Sequence, residues 1–406
     1  RKREIGASIS RLDTAAFNPA VVQNFSQTLA ARAPGVTVQA PGGTTGTGSR
    51  IRLRAPSSLS LSNDPLLIVD GVLMNNNTSG LTIGIGNQQV SRFDDINPED
   101  IESIEVIKGP AATALFGTGA GNGVIQITTK RGRAGRPRWS AYAEGANQYS
   151  LVDARDPLQT INYRAIGRSA AGARVNCSIE SQALARAGVA GQCATLDTLY
   201  TNSPLANLSP FRNGTAQQYG LNVSGGSADA RYYLGAETEN TLGIFDPNWQ
   251  RRVNTRSNVT ANVLKSLVVD ASIGYLDSRT GLPLGDNLFA GTLSAGLLGG
   301  AFDCSPTSWR TIRECQVGND SLSRGYVTAN VPVTQYFAQR QQQDIQRLLT
   351  GVTATWTPLS WLKGIGRVNG DFLQRFDQSL TPPNRVFQSL ATVEGSRVNT
   401  RSYIPT

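Results

Sequence analysis

The chain has 406 residues, of which 38 are lysine or arginine and 29 are aspartate or glutamate, so its formal net charge is +9. It contains no histidine, which excludes Ser-His-Asp and Cys-His nucleophile systems and removes the commonest zinc ligand. No run approaches the roughly 18 consecutive apolar residues of a membrane-spanning helix, although barrel strands would escape that search. Basic residues are scattered without an aromatic platform, which argues against a nucleic-acid partner and favours an arginine-lined interior or a basic surface.

The N-terminal third predicts a small α+β domain. Residues 20–33 predict a short amphipathic helix, because Val22, Phe25 and Leu29 recur at helical spacing and Pro34-Gly35 follows. Strands are predicted at 36–40, at 50–55, at 66–72 with an Asp-Gly turn at its end, and over IESIEVI and GVIQITTK.

The stretch IESIEVIKGPAATALFGTGAGNGVIQITTKRG combines strand, helix and glycine-rich turn, which are also the parts of a phosphate-binding site. No lysine follows its glycines as a Walker loop requires, and a strand rather than a helix comes after them, unlike in the dinucleotide fingerprint. Pro110 suits the first turn of a helix and Gly117 suits its C-terminal cap. The glycines are therefore expected to end a short helix rather than bind a nucleotide.

From residue 136 onward, segments of about ten residues alternate apolar and polar side chains. In RVNTRSNVTANVL, for example, Asn254, Arg256 and Asn258 share a face opposite Val253 and Val259. A face so polar does not belong in a dry core. Short links near 225–230, 264–267 and 357–360 alternate with longer ones at about 150–215, 241–249 and 278–338. This alternation is typical of a bacterial outer-membrane barrel with short periplasmic turns and long extracellular loops; a soluble β-sandwich is the alternative.

Four cysteines fall in the two longest loops as two local pairs. Neither pair has C-x-x-C spacing, so zinc is not expected, and disulfides formed in an oxidising compartment are favoured. Of three possible connectivities we expect the local one, which joins Cys177 to Cys193 and Cys304 to Cys315.

Several motifs resemble the plug domain of TonB-dependent outer-membrane transporters. NDPLLIVDGV at 63–72 resembles one element of that domain, and INPEDIESIEVIKGPAATALFGTGAGNGVIQITTKRG at 96–132 resembles its longest signature. INPEDIESIEV and Asn122-Gly123 point to the SusC-like (SusC/RagA) branch. Lys-Gly-Pro at 108–110 is closer to siderophore and vitamin receptors. The residues that carry the plug signature are Asp64, Pro65, Asp70, Gly71, Asn97, Glu102, Glu105, Gly109, Gly117, Asn122 and Gly123.

The resemblance implies a plug over residues 1–135, followed over 136–406 by the start of an antiparallel transmembrane β-barrel in the bacterial outer membrane. Seven or eight strands are counted, whereas such a barrel has about 22. We therefore expect the chain to be a fragment; a self-sufficient 406-residue protein is the alternative.

The resemblance also implies a function. It predicts no enzymatic activity and no cofactor, but TonB-driven import of an oligosaccharide or a peptide-like nutrient, with the plug gating the barrel. The implied partners are TonB with its inner-membrane energising complex, a SusD-like surface lipoprotein and outer-membrane lipid. A signalling or surface-attachment protein on the same scaffold, or a soluble β-rich binding protein, is the alternative.

Two sets of residues receive roles from this resemblance. Arg54 and Lys108 match basic plug residues that pair with barrel carboxylates and lock the plug; solvated charges at strand ends are the alternative. The amide-rich segment at 74–80 suits sugar or peptide recognition, which makes Asn75, Asn76 and Asn77 candidates for facing the substrate; a solvated turn is the alternative.

Overall fold

A computed structural model gives the architecture of most of the chain. Among the residues it describes, no helix is long and apolar enough to cross a membrane. The described residues are 8–13, 25–29, 34–39, 44–53, 63–75, 92–108, 110–150, 162–283, 292–297, 326, 340–381, 385–387, 390–392 and 396–405.

The helices within these ranges are short, and most of the structure is strand. The helices are α1 (Phe25–Leu29), α2 (Pro110–Phe116), α3 (Ile179–Arg186), α4 (Pro204–Asn207) and α5 (Thr292–Leu297). The strands are β1 (Ser8–Asp13), β2 (Val36–Gln39), β3 (Arg50–Leu53), β4 (Leu66–Val69), β5 (Val72–Met74), β6 (Ile101–Lys108), β7 (Val124–Thr129), β8 (Gly135–Gln148), β9 (Asn162–Arg168), β10 (Arg174–Cys177), β11 (Thr195–Asn202), β12 (Gly214–Gly226), β13 (Ala230–Leu242), β14 (Trp249–Leu264), β15 (Leu267–Leu282), β16 (Arg340–Leu359), β17 (Leu362–Thr381), β18 (Arg385–Phe387), β19 (Leu390–Thr392) and β20 (Ser396–Pro405).

The N-terminal domain, as we call residues 8–129, is built on a five-stranded sheet in the order β1-β6-β7-β4-β5. Only the β4–β7 pair is parallel. Phe25 and Leu29 of α1 pack on one face of this sheet together with Ile51 and Leu53 from the β2–β3 hairpin. The result is a closed apolar core with nearly all of its side chains out of water. The predicted helix is confirmed over Phe25–Leu29, whereas Val22 lies outside the described residues.

Three predicted turn positions have a clear backbone reason. Asp70 (φ 50°) and Gly71 (φ 86°) both adopt positive φ between β4 and β5, as a two-residue hairpin turn requires. Gly117 (φ 80°) ends α2, and its N–H donates to the Thr113 carbonyl at 2.9 Å. A Cβ on Gly123 would lie 2.6 Å from Leu53 Cδ1, so that glycine lets the β2–β3 hairpin pack against the sheet.

The large sheet, as we call the second unit, has eight antiparallel strands in the order β20-β17-β16-β15-β14-β13-β12-β8. The connections at 227–229, 265–266 and 360–361 are tight, and those at 149–213 and 283–339 are long. The predicted number of strands and the alternation of links are confirmed.

The loop between β8 and β12 contains structure that the sequence did not predict. Strands β9, β10 and β11 form a small sheet of their own, and α3 lies beside it. Cys177 and Cys193 form the expected disulfide, with their Cα atoms 5.2 Å apart. Cys304 and Cys315 lie outside the described residues.

Candidate functional site: the interface of the N-terminal domain and the large sheet

Polar side chains on the inner face of the large sheet contact the N-terminal domain. On β14, Arg252, Asn254, Arg256 and Asn258 are all buried, although Val253 between them is exposed on the outer face. Buried polar groups are costly unless they are hydrogen-bonded. The partners of this inner face are therefore the main evidence for how the two units are joined.

Asp70 joins the tip of the β4–β5 hairpin to β14. Its carboxylate accepts hydrogen bonds from the Thr129 N–H (2.9 Å), from the Thr129 hydroxyl (2.6 Å) and from the Arg256 guanidinium. The amide of Asn258 donates at 2.7 Å both to the Thr129 hydroxyl oxygen and to the Lys130 carbonyl. Asp70 is thus both a turn residue and an ion-pair partner of the large sheet.

A second cluster is centred on Arg347 of β16, whose side chain is 1% exposed. Its guanidinium donates twice to Asp371 of β17, at 2.9 and 2.5 Å, and once to Asp95 of the N-terminal domain at 2.9 Å. It also donates to the Asn75 carbonyl at 2.8 Å, while the Asn75 N–H donates to Asp371 at 2.9 Å. One buried arginine therefore links two strands of the large sheet to two segments of the N-terminal domain.

Further contacts extend the interface along β14 and β16. Arg252 donates to the Asp94 carbonyl at 2.5 Å, and Arg92 donates to the Gln343 side chain at 2.9 Å. Burial raises the pKa of the Asp94 carboxyl, which hydrogen bonds from Ser26 oppose. Burial likewise lowers the pKa of Arg92, against the attraction of Asp95. Both charges depend on these neighbours because water does not solvate them.

At Asp100, burial outweighs the interactions that stabilise the ionised carboxylate. The Tyr233 hydroxyl of β13 donates to its carboxylate at 2.7 Å. Burial raises the pKa of Asp100 from 3.8 to about 6, an effect that the Tyr233 hydrogen bond and the Arg256 charge only partly offset. Compared with the unfolded chain, the folded state therefore favours the protonated form of the Asp100 carboxyl.

This shift predicts a pH dependence. Because the folded-state pKa of Asp100 lies above its ordinary value, its contribution to stability is present below about pH 4 and is lost as the pH rises through about 6. Asp100→Asn keeps an oxygen for Tyr233 but cannot ionise. Urea unfolding of the N-terminal domain within the whole protein, where Tyr233 contacts Asp100, should show a smaller loss of stability between pH 4 and 7 in the variant; identical pH profiles would contradict this assignment.

The structure places only some of the predicted site residues at the interface between the N-terminal domain and the large sheet. Lys108 is buried inside the N-terminal domain, where its ammonium donates to the Ser10 hydroxyl and to the Pro34 carbonyl. Of the three predicted substrate-facing asparagines, Asn75 lies at the interface. Arg54, Asn76, Asn77 and Gly109 lie outside the described residues.

The remaining signature residues have structural surroundings. Asn97 accepts from the Glu99 N–H at 2.8 Å and so caps the short 3-10 turn before β6. Glu105 on β6 pairs with Arg11 of β1 at 3.4 Å, and Glu102 is exposed on the same strand. Asp64 and Pro65 directly precede β4, and Asn122 precedes Gly123 before β7.

The prediction placed basic residues on the N-terminal domain and carboxylates on the barrel, but most of the described ion pairs between the two units have these charges reversed. Carboxylates of the N-terminal domain (Asp70, Asp95) meet arginines of the large sheet (Arg256, Arg347); Arg131, which pairs with Asp270 at 3.1 Å, follows the predicted polarity. The sequence already placed Arg256 on the polar face of a predicted strand. Its partner Asp70 could not be predicted, because the two residues are 186 positions apart in the chain, and Asn75 and Asp371 are 296 apart.

Comparison with known proteins agrees with this architecture. Residues 1–124 match the family model of the TonB-dependent receptor plug domain. The TonB-dependent receptor SusC of Bacteroides thetaiotaomicron is 26% identical over 310 residues, which are 76% of this chain and 27% of SusC. TonB-dependent receptor P3 of Formosa agariphila is 26% identical over 67% of this chain and 23% of its own length. The chain thus spans about a quarter of the length of these relatives.

Solved structures share the fold. The RagAB peptide importer in its "closed-closed" state superposes with a TM-score of 0.65 at 18% identity, over 99% of this chain and 44% of that one. Its "open-open" state gives 0.66 at 19% identity, over 98% and 44%. Residues 1–124 are thus a TonB-dependent receptor plug domain, and most of the chain is similar to SusC-like receptors, which are proteins of the bacterial outer membrane. Accordingly, the N-terminal domain is called the plug below, and the large sheet the barrel wall.

Proposed function

We propose that this chain is the gate and the adjoining wall of a TonB-dependent importer that carries an oligosaccharide or a peptide across the outer membrane. The observation that carries the proposal is the contrast between the two kinds of contact that the plug makes. Its own core is apolar, whereas its described contacts with the barrel wall include a series of hydrogen bonds and ion pairs beside the apolar contact of Leu349 with that core.

This contrast favours a plug that can be displaced. An apolar core loses its stabilisation whenever it is exposed to water. When plug and wall separate and water enters, the hydrogen bonds and ion pairs between them are replaced by hydrogen bonds to water. Breaking these contacts therefore costs far less free energy than exposing the apolar core. A pull on the plug would therefore separate it from the wall before its core opened.

The partners follow from the same proposal. TonB, energised from the inner membrane, would supply the pull on the plug, and a SusD-like lipoprotein would cover the outer side. The family comprises receptors and transporters rather than enzymes, and we infer no catalytic role for this chain. RagAB is described as a peptide importer, which supports a peptide as one of the two candidate cargoes.

Roles for individual residues remain part of the proposal. The segment at Asn75–Asn77 would meet the cargo, with the Asn75 backbone held by Arg347 and Asp371. Arg54 and Lys108 would stabilise the closed plug, and the cysteine pairs would brace loops on the outer side. The plug would occupy residues 1–135 and the barrel would begin at 136.

A reversible cross-link tests the gate. A Cβ added at Gly351 of β16 would lie 3.3 Å from Val72 Cγ2 of β5, so Val72→Cys with Gly351→Cys should form a disulfide between plug and wall. In the full-length receptor the oxidised pair should abolish uptake of labelled oligopeptides or oligosaccharides, and reduction should restore it.

The matched control places a cross-link within the wall. Val253 and Asp277 face each other on β14 and β15, so Val253→Cys with Asp277→Cys ties two strands without touching the plug. This pair should leave uptake unchanged in both redox states. Uptake that continues with the Val72–Gly351 bond fully formed would refute the gating role. A signalling protein on this scaffold would instead show no uptake even after reduction.

A further inference from the structure

The outer face of the barrel wall carries a row of arginines near its long-loop end. Arg251 on β14 lies opposite Arg279 on β15, and the same cross-strand row continues through Asp344 and Phe376 to Arg401 on β20. All three arginines are exposed and alternate along their strands with inward-facing residues. Arg340 and Arg397 are also exposed and lie further toward the same end. We call Arg251, Arg279 and Arg401 the arginine row.

Below this row the outer face is apolar. The side chains of Tyr275, Leu348 and Phe372 form one cross-strand row, and Val368 and Trp361 continue the exposed surface toward the tight turns. From Phe372 to Trp361 the strand rises about 36 Å, which for a strand tilted by about 40° spans a height close to the roughly 25 Å lipid-facing band of such barrels. The face therefore has the dimensions of a hydrocarbon contact.

The arginine row lies at the depth of lipid head groups. Arg279 is four residues beyond Tyr275 on β15, which places it about 13 Å along the strand from the edge of the apolar face. Long loops mark this end as the outer side in the orientation that we propose for the importer, and the present inference rests on that orientation. The leaflet that meets the row is then the outer one.

The row is also built to hold its guanidinium groups in place. Arg251 lies over the Trp249 ring at 5.6 Å from its centroid, and Arg401 lies over Phe376 at 5.7 Å. Stacking on an aromatic face fixes a guanidinium plane at small entropic cost and leaves its edge for hydrogen bonding. A shallow groove next to Arg251 is lined by Trp249, Leu242 and Gln217. It offers apolar and polar surface side by side.

Acidic neighbours offset only part of this charge. Arg279 lies 3.7 Å from Asp277, which also accepts a hydrogen bond from Gln346, and Asp344 accepts one from Gln342 at 2.8 Å. With Arg340 and Arg397 included, the described strands carry five arginines against two aspartates at this end of the outer face. The surface remains positive where it meets the membrane.

We propose that the arginine row binds the phosphate groups of the phosphorylated glycolipid in the outer leaflet, while the apolar face below it contacts the acyl chains. Guanidinium groups bind phosphate oxygens through two parallel hydrogen bonds, a geometry that few other side chains match. Such lipid would lie along the outer face from β14 to β20 and hold the wall at a fixed depth. The occupant is therefore a membrane lipid and not a soluble anion.

Native mass spectrometry of the detergent-solubilised, full-length receptor tests this proposal. Lipid A with both phosphates should bind the wild type, and lipid A from which both phosphates have been removed should bind much more weakly. Replacing the row by Arg251→Gln, Arg279→Gln and Arg401→Gln should weaken binding of the bisphosphorylated lipid by roughly a hundredfold, since each basic residue acts on an anionic surface nearly independently.

The matched control removes the same charge at the other end of the wall. Arg136, Arg138 and Arg367 are exposed near the tight turns, so their triple replacement by glutamine should leave lipid A binding unchanged. Equal affinity for the two forms of lipid A would overturn the proposal. So would equal losses in the two triple variants, because net charge rather than the row would then explain binding.

Discussion

Replacing Arg347 with alanine should detach the plug from the barrel wall while leaving the plug's own fold intact. The Asp371 side chain is fully buried and that of Asp95 is nearly so, and both pair with this guanidinium. Removal of one partner from a buried ion pair costs about 3–5 kcal/mol, because the remaining charge is left without water or its counter-charge. Here Asp371 loses its guanidinium partner, Asp95 keeps only its pairing with Arg92 at 3.4 Å, and the Asn75 carbonyl loses a donor.

Conductance of the full-length receptor in a planar bilayer measures this effect. The wild type should be closed, and the Arg347→Ala variant should show frequent open events because the plug separates from β16 and β17. Arg367→Ala is the control, since it removes the same side chain from an exposed position on β17. Conductance traces of Arg347→Ala that match those of the control would show that this cluster does not hold the plug.

Asp70→Asn should separate the two roles of that residue. Asparagine tolerates positive φ as aspartate does, so the hairpin turn between β4 and β5 should survive. Its single side-chain oxygen can still accept the hydrogen bond of the Thr129 N–H, but the NH2 group in place of the second oxygen can neither accept from the Thr129 hydroxyl nor neutralise Arg256, whose side chain is 8% exposed. We expect the plug to remain folded and its attachment to β14 to weaken by about 3 kcal/mol.

Proteolysis of the plug at increasing urea concentration should reveal this loss. Cleavage in the Asp70→Asn receptor should begin at lower urea than in the wild type. Asp229→Asn is the matched control, because Asp229 is an exposed aspartate in the tight turn between β12 and β13. Coincident urea curves for all three proteins would mean that Asp70 serves the turn alone.

Sequence reasoning predicted the elements of this structure better than their contacts. Strict alternation marked β14 and β15 because one face of each strand carries exposed apolar side chains and the other carries buried polar ones. The end of α2 was predictable from Gly117, since helix caps depend on neighbours within a few residues. The β9–β11 sheet was not predicted, because its short strands are stabilised by pairing within a loop and by a disulfide.

The polar character of the interface could be predicted from the sequence, but the residue pairs that form it could not. A polar face on β14 indicated that something hydrophilic would cover it, yet nothing local says that Arg256 meets Asp70. That pairing depends on how the plug is rotated against the wall, which arises from many contacts between distant segments. The resemblance to related receptors pointed to Arg54 and Lys108, whereas the carboxylates Asp70 and Asp95 form the described ion pairs with Arg256 of β14 and Arg347 of β16.

The Asn75 amide reports directly on the central claim, that the plug leaves the wall as a folded unit. This N–H belongs to the plug and donates to Asp371 of the wall, whereas the amides of β6 and β7 lie within the plug's own sheet. Hydrogen exchange of the full-length receptor in low urea should therefore be measured at both places. Exchange at Asn75 through an opening of much lower free energy than that of β6 and β7 is the expected result. Equal opening free energies at the two places would mean that plug and wall form one cooperative unit, which would contradict the account.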